Sequence, residues 1–163
     1  MNNTIADFAL GKDHSLLLLK NGECVGFGGN VYGELGVFEE EVITPIIISD
    51  FSIEIDRVAA GYGFSIFLLS DGSLYYQGRG HKLECLMEAQ NKREIRLCSS
   101  LFEPLFICEN ELFLIDENLK HVSIASNIQC EDATAGHGFC VALDCKGKVY
   151  TWGQGADGKL GQN

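Results

Sequence analysis

The chain has 163 residues, 46% hydrophobic and 21% charged, the composition of a globular domain with a substantial core and not of a disordered segment. Its 23 acidic side chains outnumber its 12 basic ones for a formal net charge of −11, which disfavours direct binding to nucleic acid or to anionic membranes. No stretch approaches the roughly 20 apolar residues that span a bilayer, and Met1-Asn2-Asn3-Thr4 has neither the basic nor the apolar part of a secretory signal, so the expected setting is intracellular, cytoplasmic or nuclear.

In chain order, a short apolar run (Ile5, Phe8, Ala9, Leu10) meets Gly11 and then Lys12-Asp13-His14. A second run, Ser15 to Leu19, ends at Asn21-Gly22, and a third, Cys24 to Phe27, passes into the glycine-punctuated segment Gly28 to Gly36. Runs of four to six residues bounded by such turn chemistry predict strands, and Asn21-Gly22 and Asp71-Gly72 predict two-residue hairpins. Thr44-Pro45-Ile46-Ile47-Ile48 predicts one more strand, at a sheet edge because of its proline. Ile66 to Leu69, like Leu16 to Leu19, is apolar on both faces, so sheet is expected to pack against sheet.

The spacing repeats. Gly11, Gly22 and Gly28 recur at the same offsets as Gly61, Gly72 and Gly78, and again as Gly136, Gly147 and Gly153. A fourth, eroded copy lies between, with Ser99, Asn110 and Asp116 in the glycine positions and Leu105-Phe106-Ile107 and Leu112 to Ile115 as strands. The expected division is repeat 1 over 5–54, repeat 2 over 55–92, repeat 3 over 93–127 and repeat 4 over 128–163. Copies two and three are predicted to have lost or shortened their outer strand, with the polar Glu88 to Glu94 in its place. Multi-stranded repeats of this length indicate β-propeller blades.

Val58-Ala59-Ala60-Gly61, the Gly-x-x-His of Gly11 to His14, Val149-Tyr150-Thr151-Trp152-Gly153, and the tails Tyr32 to Gly36 and Gly158 to Gly161 resemble the repeats of the regulator of chromosome condensation family. The resemblance implies an all-β fold, a partial β-propeller of about three to four antiparallel blades with the third degenerate. Family members usually form a closed seven-bladed ring, whereas four copies fill about half of one. A smaller ring, a second chain or copy completing the propeller, and a fragment of a longer propeller are the alternatives.

Catalytic, metal and cofactor motifs are not evident, and an enzymatic role is not favoured. His14 invites an acid–base reading because an ordinary histidine titrates near physiological pH, but Phe64 and Phe139 hold the same place in other copies, which favours a packing role. Trp152 is expected to pack between blades. Gly26-Phe27-Gly28-Gly29 and Gly153-Gln154-Gly155 lack the following helix of a phosphate loop. The seven cysteines contain no Cys-x-x-Cys pair and are expected as reduced core thiols. The candidate partner contacts are the loop aromatics Tyr32 and Tyr62 and the acidic tip Glu39, Glu40 and Glu41. The expected role is a protein-interaction module binding through blade-connecting loops, with a basic protein surface as complement. The resemblance adds an alternative, guanine-nucleotide exchange on a Ran-type small GTPase.

Overall fold

Each apolar run between turn residues is a β-strand. The computed structural model describes residues 4–48, 51–89 and 94–161, which divide into two units, Met1–Lys92 and Arg93–Asn163. In the first unit β1 (Ile5–Leu10), β2 (His14–Leu19), β3 (Cys24–Gly29) and β4 (Glu41–Ile48) form one antiparallel meander, and β5 (Ile55–Ala60), β6 (Phe64–Leu69), β7 (Leu74–Gly78) and β8 (His81–Met87) form another. These are two four-stranded blades. Leu16, Leu18, Cys24 and Leu35 of the first pack with Val58, Ala60, Phe67 and Leu69 of the second in one buried cluster. Each large aliphatic or aromatic side chain so buried contributes roughly 1.5–3 kcal/mol.

In the second unit β9 (Ile95–Ser100), β10 (Leu105–Cys108), β11 (Glu111–Ile115) and β12 (His121–Ser123) precede β13 (Cys130–Ala135), β14 (Phe139–Asp144) and β15 (Val149–Gly153). All seven belong to one sheet, because β9 and β13 pair in parallel through Ser99 with Thr134 and Ser100 with Ala135. Its core holds Leu105, Ile107, Leu112, Cys130 and Ala142, with Trp152 packed against it. The protein is thus an all-β partial propeller with a degenerate third blade. Among the described residues no helix is long and apolar enough to cross a membrane.

The repeated glycines each perform one main-chain task. Gly11, Gly61 and Gly136 donate their N–H to the carbonyls of His14, Phe64 and Phe139 at 2.9, 3.0 and 2.9 Å, closing the turn into the second strand of each blade. Gly22, Gly72 and Gly147, at φ of 82°, 88° and 80°, donate back to Leu19, Leu69 and Asp144, each at 2.9 Å. At Gly28, Gly78 and Gly153 the third strand passes so close to the carbonyls of Asp13, Gly63 and Gly138 that a Cβ would collide with them. The following N–H bonds that same carbonyl, Gly29 to Asp13 at 2.7 Å, Arg79 to Gly63 at 2.9 Å and Gln154 to Gly138 at 2.7 Å. The third blade keeps only an echo: Ile115 N–H donates to the Pro104 carbonyl at 2.9 Å.

Two expectations are corrected. Asn21-Gly22 and Asp71-Gly72 do not make two-residue hairpins. Leu19 N–H donates to Glu23 and Leu69 N–H to Ser73, which leaves three-residue loops with only the last residue, glycine, left-handed. The reason is local: the Asn21 and Asp71 side chains accept the N–H of Glu23 and Ser73, which holds those residues at ordinary φ. Genuine two-residue turns occur instead at Arg79-Gly80 (φ 51° and 85°) and Glu109-Asn110 (φ 53° and 64°). The second correction follows from the first of these. Blade two keeps a full seven-residue outer strand, β8, because Arg79-Gly80 replaces the long connection and leaves the strand itself in place. In blade three the outer strand β12 is shortened to three residues. Of the Glu88 to Glu94 segment, residues 90–93 lie outside the described residues. Pro45 sits on the edge strand β4, opposite a register shift between Gly26 and Gly28.

Candidate functional site

In a four-stranded meander the first and third connections emerge at the same end. In the first unit these are Gly11–Asp13, the long β3–β4 loop, Gly61–Gly63 and the Arg79-Gly80 turn, and they are bonded into one surface. Lys12 N–H donates to the Gly61 carbonyl at 3.2 Å and Gly80 N–H to the Tyr32 carbonyl at 3.2 Å. The Arg79 guanidinium donates to the Tyr62 carbonyl at 3.0 Å and lies over the Phe64 ring.

Asn30 shapes the long loop. Its carboxamide nitrogen donates to the carbonyls of Val37 at 2.9 Å and Glu39 at 2.6 Å, and its oxygen accepts the Leu35 N–H at 2.7 Å. Its main chain is tied as well, with its N–H on the Glu40 carbonyl at 2.7 Å. Leu35 is thereby drawn into the core, and the buried Glu34 carboxylate accepts the Tyr32 N–H at 2.8 Å. What remains outside is Phe38, fully exposed at 106% of its reference area, with Val31 and Tyr32 also exposed.

Tyr32 and Tyr62, expected as loop aromatics, are brought together. Their hydroxyls are 2.9 Å apart and their rings meet edge to face with centroids 5.4 Å apart. The Lys12 ammonium lies 4.4 Å from the centre of the Tyr62 ring. The hydrogen bond to Tyr62 raises the Tyr32 phenol above its ordinary value, as do the neighbouring phenol and the carboxylates of Glu34 and Asp13. Gly63, at φ 74°, leaves the space the Tyr32 ring needs. Glu39 and Glu40 are exposed and lend the loop their carbonyls, and Glu41 opens β4 opposite Gly29. Among the described residues the carboxylates of these three form no hydrogen bond or ion pair.

His14 is a packing residue that also bridges blades. It is 3% exposed, its Nε2 lies 3.0 Å from the Ser65 hydroxyl, and that hydroxyl donates to the Glu34 carbonyl at 2.8 Å. Gly11 packs flat against its ring, as Gly136 does against Phe139, which is why an aromatic ring serves in either place. Burial lowers the imidazole to about 4, opposed in part by Asp13. In the second unit His137 is exposed and its ring lies against Phe102, centroids 4.5 Å apart and planes tilted by 34°. Among the described residues no three His, Cys, Asp or Glu side chains are grouped to hold a metal ion. Asn30, Arg79 and Lys12 were not singled out from sequence. For Asn30 the only signal is its position directly after Gly28-Gly29, where an orphaned loop backbone needs a side-chain partner.

Comparisons with known proteins agree with this architecture. The sequence model for the regulator of chromosome condensation (RCC1) repeat matches residues 5–34, which covers β1 to β3 and the start of the long loop. The chain is 29% identical over 161 residues to the protein RCC2 homolog of Danio rerio, covering 94% of this chain and 32% of that protein. It is 27% identical over 158 residues to the secretion-regulating guanine nucleotide exchange factor of Mus musculus, covering 96% and 31%. It therefore spans about a third of the length of these relatives. The crystal structure of Prp20p from Saccharomyces cerevisiae, described with its binding properties to Gsp1p and histones, superposes with a TM-score of 0.81 at 18% identity over 99% of this chain and 48% of that one. With three blades that carry the same three glycine bonds and a fourth that retains an echo of one, the chain carries repeats that are similar to those of the regulator of chromosome condensation type.

Proposed function

We propose that the chain is a non-enzymatic protein-interaction module whose contact surface is the bonded cluster of connections around Tyr32 and Tyr62. The observation that carries this reading is that pair: two exposed or half-exposed phenols held in fixed mutual orientation beside a loop whose tip, Phe38, projects fully into solvent. Rigid aromatic groups on a braced loop are the typical anchors of protein recognition, since they offer contact area without a large ordering cost. The carboxylates of Glu39, Glu40 and Glu41 at the loop's far end suit a basic partner surface. Capture from lysate with the wild-type chain, with Tyr32→Ala/Tyr62→Ala and with all three glutamates changed to lysine tests the assignment. Loss of captured partners in the tyrosine variant supports it, and unchanged capture in both variants overturns it.

A second reading has a specific observation behind it, the likeness to a mouse protein named as a guanine nucleotide exchange factor. In this reading the same surface binds a Ran-type small GTPase better when nucleotide-free, which weakens nucleotide affinity by coupling the two sites. Release of fluorescent GDP from such a GTPase accelerates if the reading is right, and an unchanged rate at stoichiometric protein removes it. Exposed apolar side chains on the two edge strands of the first blade, Phe8 and Leu10 on β1 and Ile43 and Ile47 on β4, support association with a second copy or another chain. Sedimentation as a monomer at micromolar concentration excludes the self-associated form. Intracellular placement, cytoplasmic or nuclear, completes the proposal, and imaging of the tagged chain tests it.

A further inference from the structure

Beside the tyrosine pair, the β3–β4 loop and β8 enclose a groove of 590 Å³, within the size range of ligand sites. Its apolar wall is formed by Val37, Phe38 and Leu83, and its polar wall by His81 and Lys82. On a chain with 23 acidic residues and a net charge of −11, the described lining contains a lysine and a histidine and no carboxylate. Lys82 is exposed and takes part in no ion pair among the described residues.

The floor carries an unsatisfied donor. Gln77 is 3% exposed, and its carboxamide nitrogen has no hydrogen-bond partner. The carboxamide lies flat against Gly36, which at φ 74° has no side chain to stand in its way. A buried amide donor without an acceptor is unfavourable and rare in folded proteins. Leucine would fill a similar space, and an amide in its place offers a hydrogen bond to an acceptor that arrives with a ligand. β8 is the edge strand of its sheet, so an extended chain can also lie along it and use its free main-chain groups.

Resting on the reading of this end of the unit as an interaction surface, we propose that the groove binds an extended acidic segment of a partner protein. An Asp or Glu side chain of that segment engages Lys82 and the Gln77 amide, and a neighbouring apolar side chain packs between Phe38 and Leu83. Charge complementarity and the waiting donor favour an anionic acceptor, and the apolar wall favours a peptide over a small free anion. Glu39 and Glu40 follow Phe38 in the chain but stand outside the lining, so the loop divides into an acidic flank and a basic groove. The two flanks would select different partners, or different parts of one.

The test is selection of a random peptide library displayed on phage against the full chain, followed by fluorescence anisotropy with the labelled consensus peptide. An enriched motif pairing Asp or Glu with an adjacent Phe, Leu or Ile is expected. Lys82→Glu and Phe38→Ser should each weaken the peptide at least tenfold, while Glu39→Lys leaves it unchanged or tighter. Gln77→Leu keeps the melting temperature and weakens binding, which separates a recognition role from a structural one. A basic consensus, no enrichment, or affinity unaffected by Lys82→Glu overturns the groove assignment. Partner capture that depends on Tyr62, which lies outside the lining, reports on the wider surface independently.

Discussion

The Nε2 of His14 lies 3.0 Å from the hydroxyl of Ser65, 51 residues away on the neighbouring blade. Because Ser65 gives its own proton to the Glu34 carbonyl, the imidazole is the donor in this bond, and its buried Nδ1 is left as an unpaired acceptor. The ring is therefore neutral in the folded protein. Its pKa is about 4, below the ordinary 6.5, with burial the larger cause. As pH falls below 6.5 the unfolded chain takes up a proton that the folded chain still refuses, so this contribution to stability is complete above 6.5 and is lost progressively down to about 4. Between pH 7 and pH 5 the wild type should lose about 2 kcal/mol more than His14→Phe does. Urea unfolding of both proteins at the two pH values checks this; parallel losses contradict it.

Gly78 and Gly72 both have left-handed backbone, at φ of 112° and 88°, and differ in their surroundings. A Cβ at Gly78 would strike the Gly63 carbonyl, whereas at Gly72 nothing lies within 4 Å. Gly72→Ala should therefore cost about 1–2 kcal/mol, the conformational penalty alone. Gly78→Ala adds a main-chain collision and should cost more than about 3 kcal/mol or prevent folding. Equal destabilisation in denaturant titrations would show that the close approach carries no weight.

Asn30→Ala removes two donors and one acceptor from carbonyls and an amide of its own loop. The expected loss is about 2–4 kcal/mol, since the Leu35 amide and loop carbonyls are left without partners. Hydrogen exchange across residues 31–40 should accelerate while the Phe64–Leu69 strand stays protected. Uniform acceleration along the first unit would mean that Asn30 supports the whole blade and not the loop.

The thiols separate by environment. Burial pushes Cys24 and Cys98 up to about 12 and raises Cys130 and Cys140, while Cys85 and Cys145 are exposed. Native protein treated with a thiol-reactive dye at neutral pH should label rapidly at Cys85 and Cys145 and slowly at the five buried positions. Mass spectrometry assigns the sites, and fast labelling of Cys24 or Cys98 would contradict the packing described.

The periodic glycines made the blades legible from residues alone, because each performs a task that a side chain would obstruct. Tyr32 and Tyr62 were legible as loop aromatics but not as a pair. Their meeting depends on Gly63 and on the distance between blades, which no local pattern encodes. The turn types are not legible from Asn-Gly and Asp-Gly alone, because Asn21 and Asp71 use their side chains to cap the turn instead of adopting left-handed backbone. β8 was obscured by Arg79-Gly80, an uncommon sequence for a tight two-residue turn. Gln77 could not be found in advance, since an amide becomes conspicuous only when the fold closes around it.

The Asn30 carboxamide holds the carbonyls of residues 37 and 39, one on either side of Phe38. The main chain at position 38 is thus pinned like a hinge pin between two knuckles, while its side chain touches little of its own protein. Any residue that tolerates this backbone could be displayed there in the same pose. A single codon can thus retune what the surface reads without disturbing the scaffold, and position 38 is the natural place to look for altered specificity among natural or engineered variants.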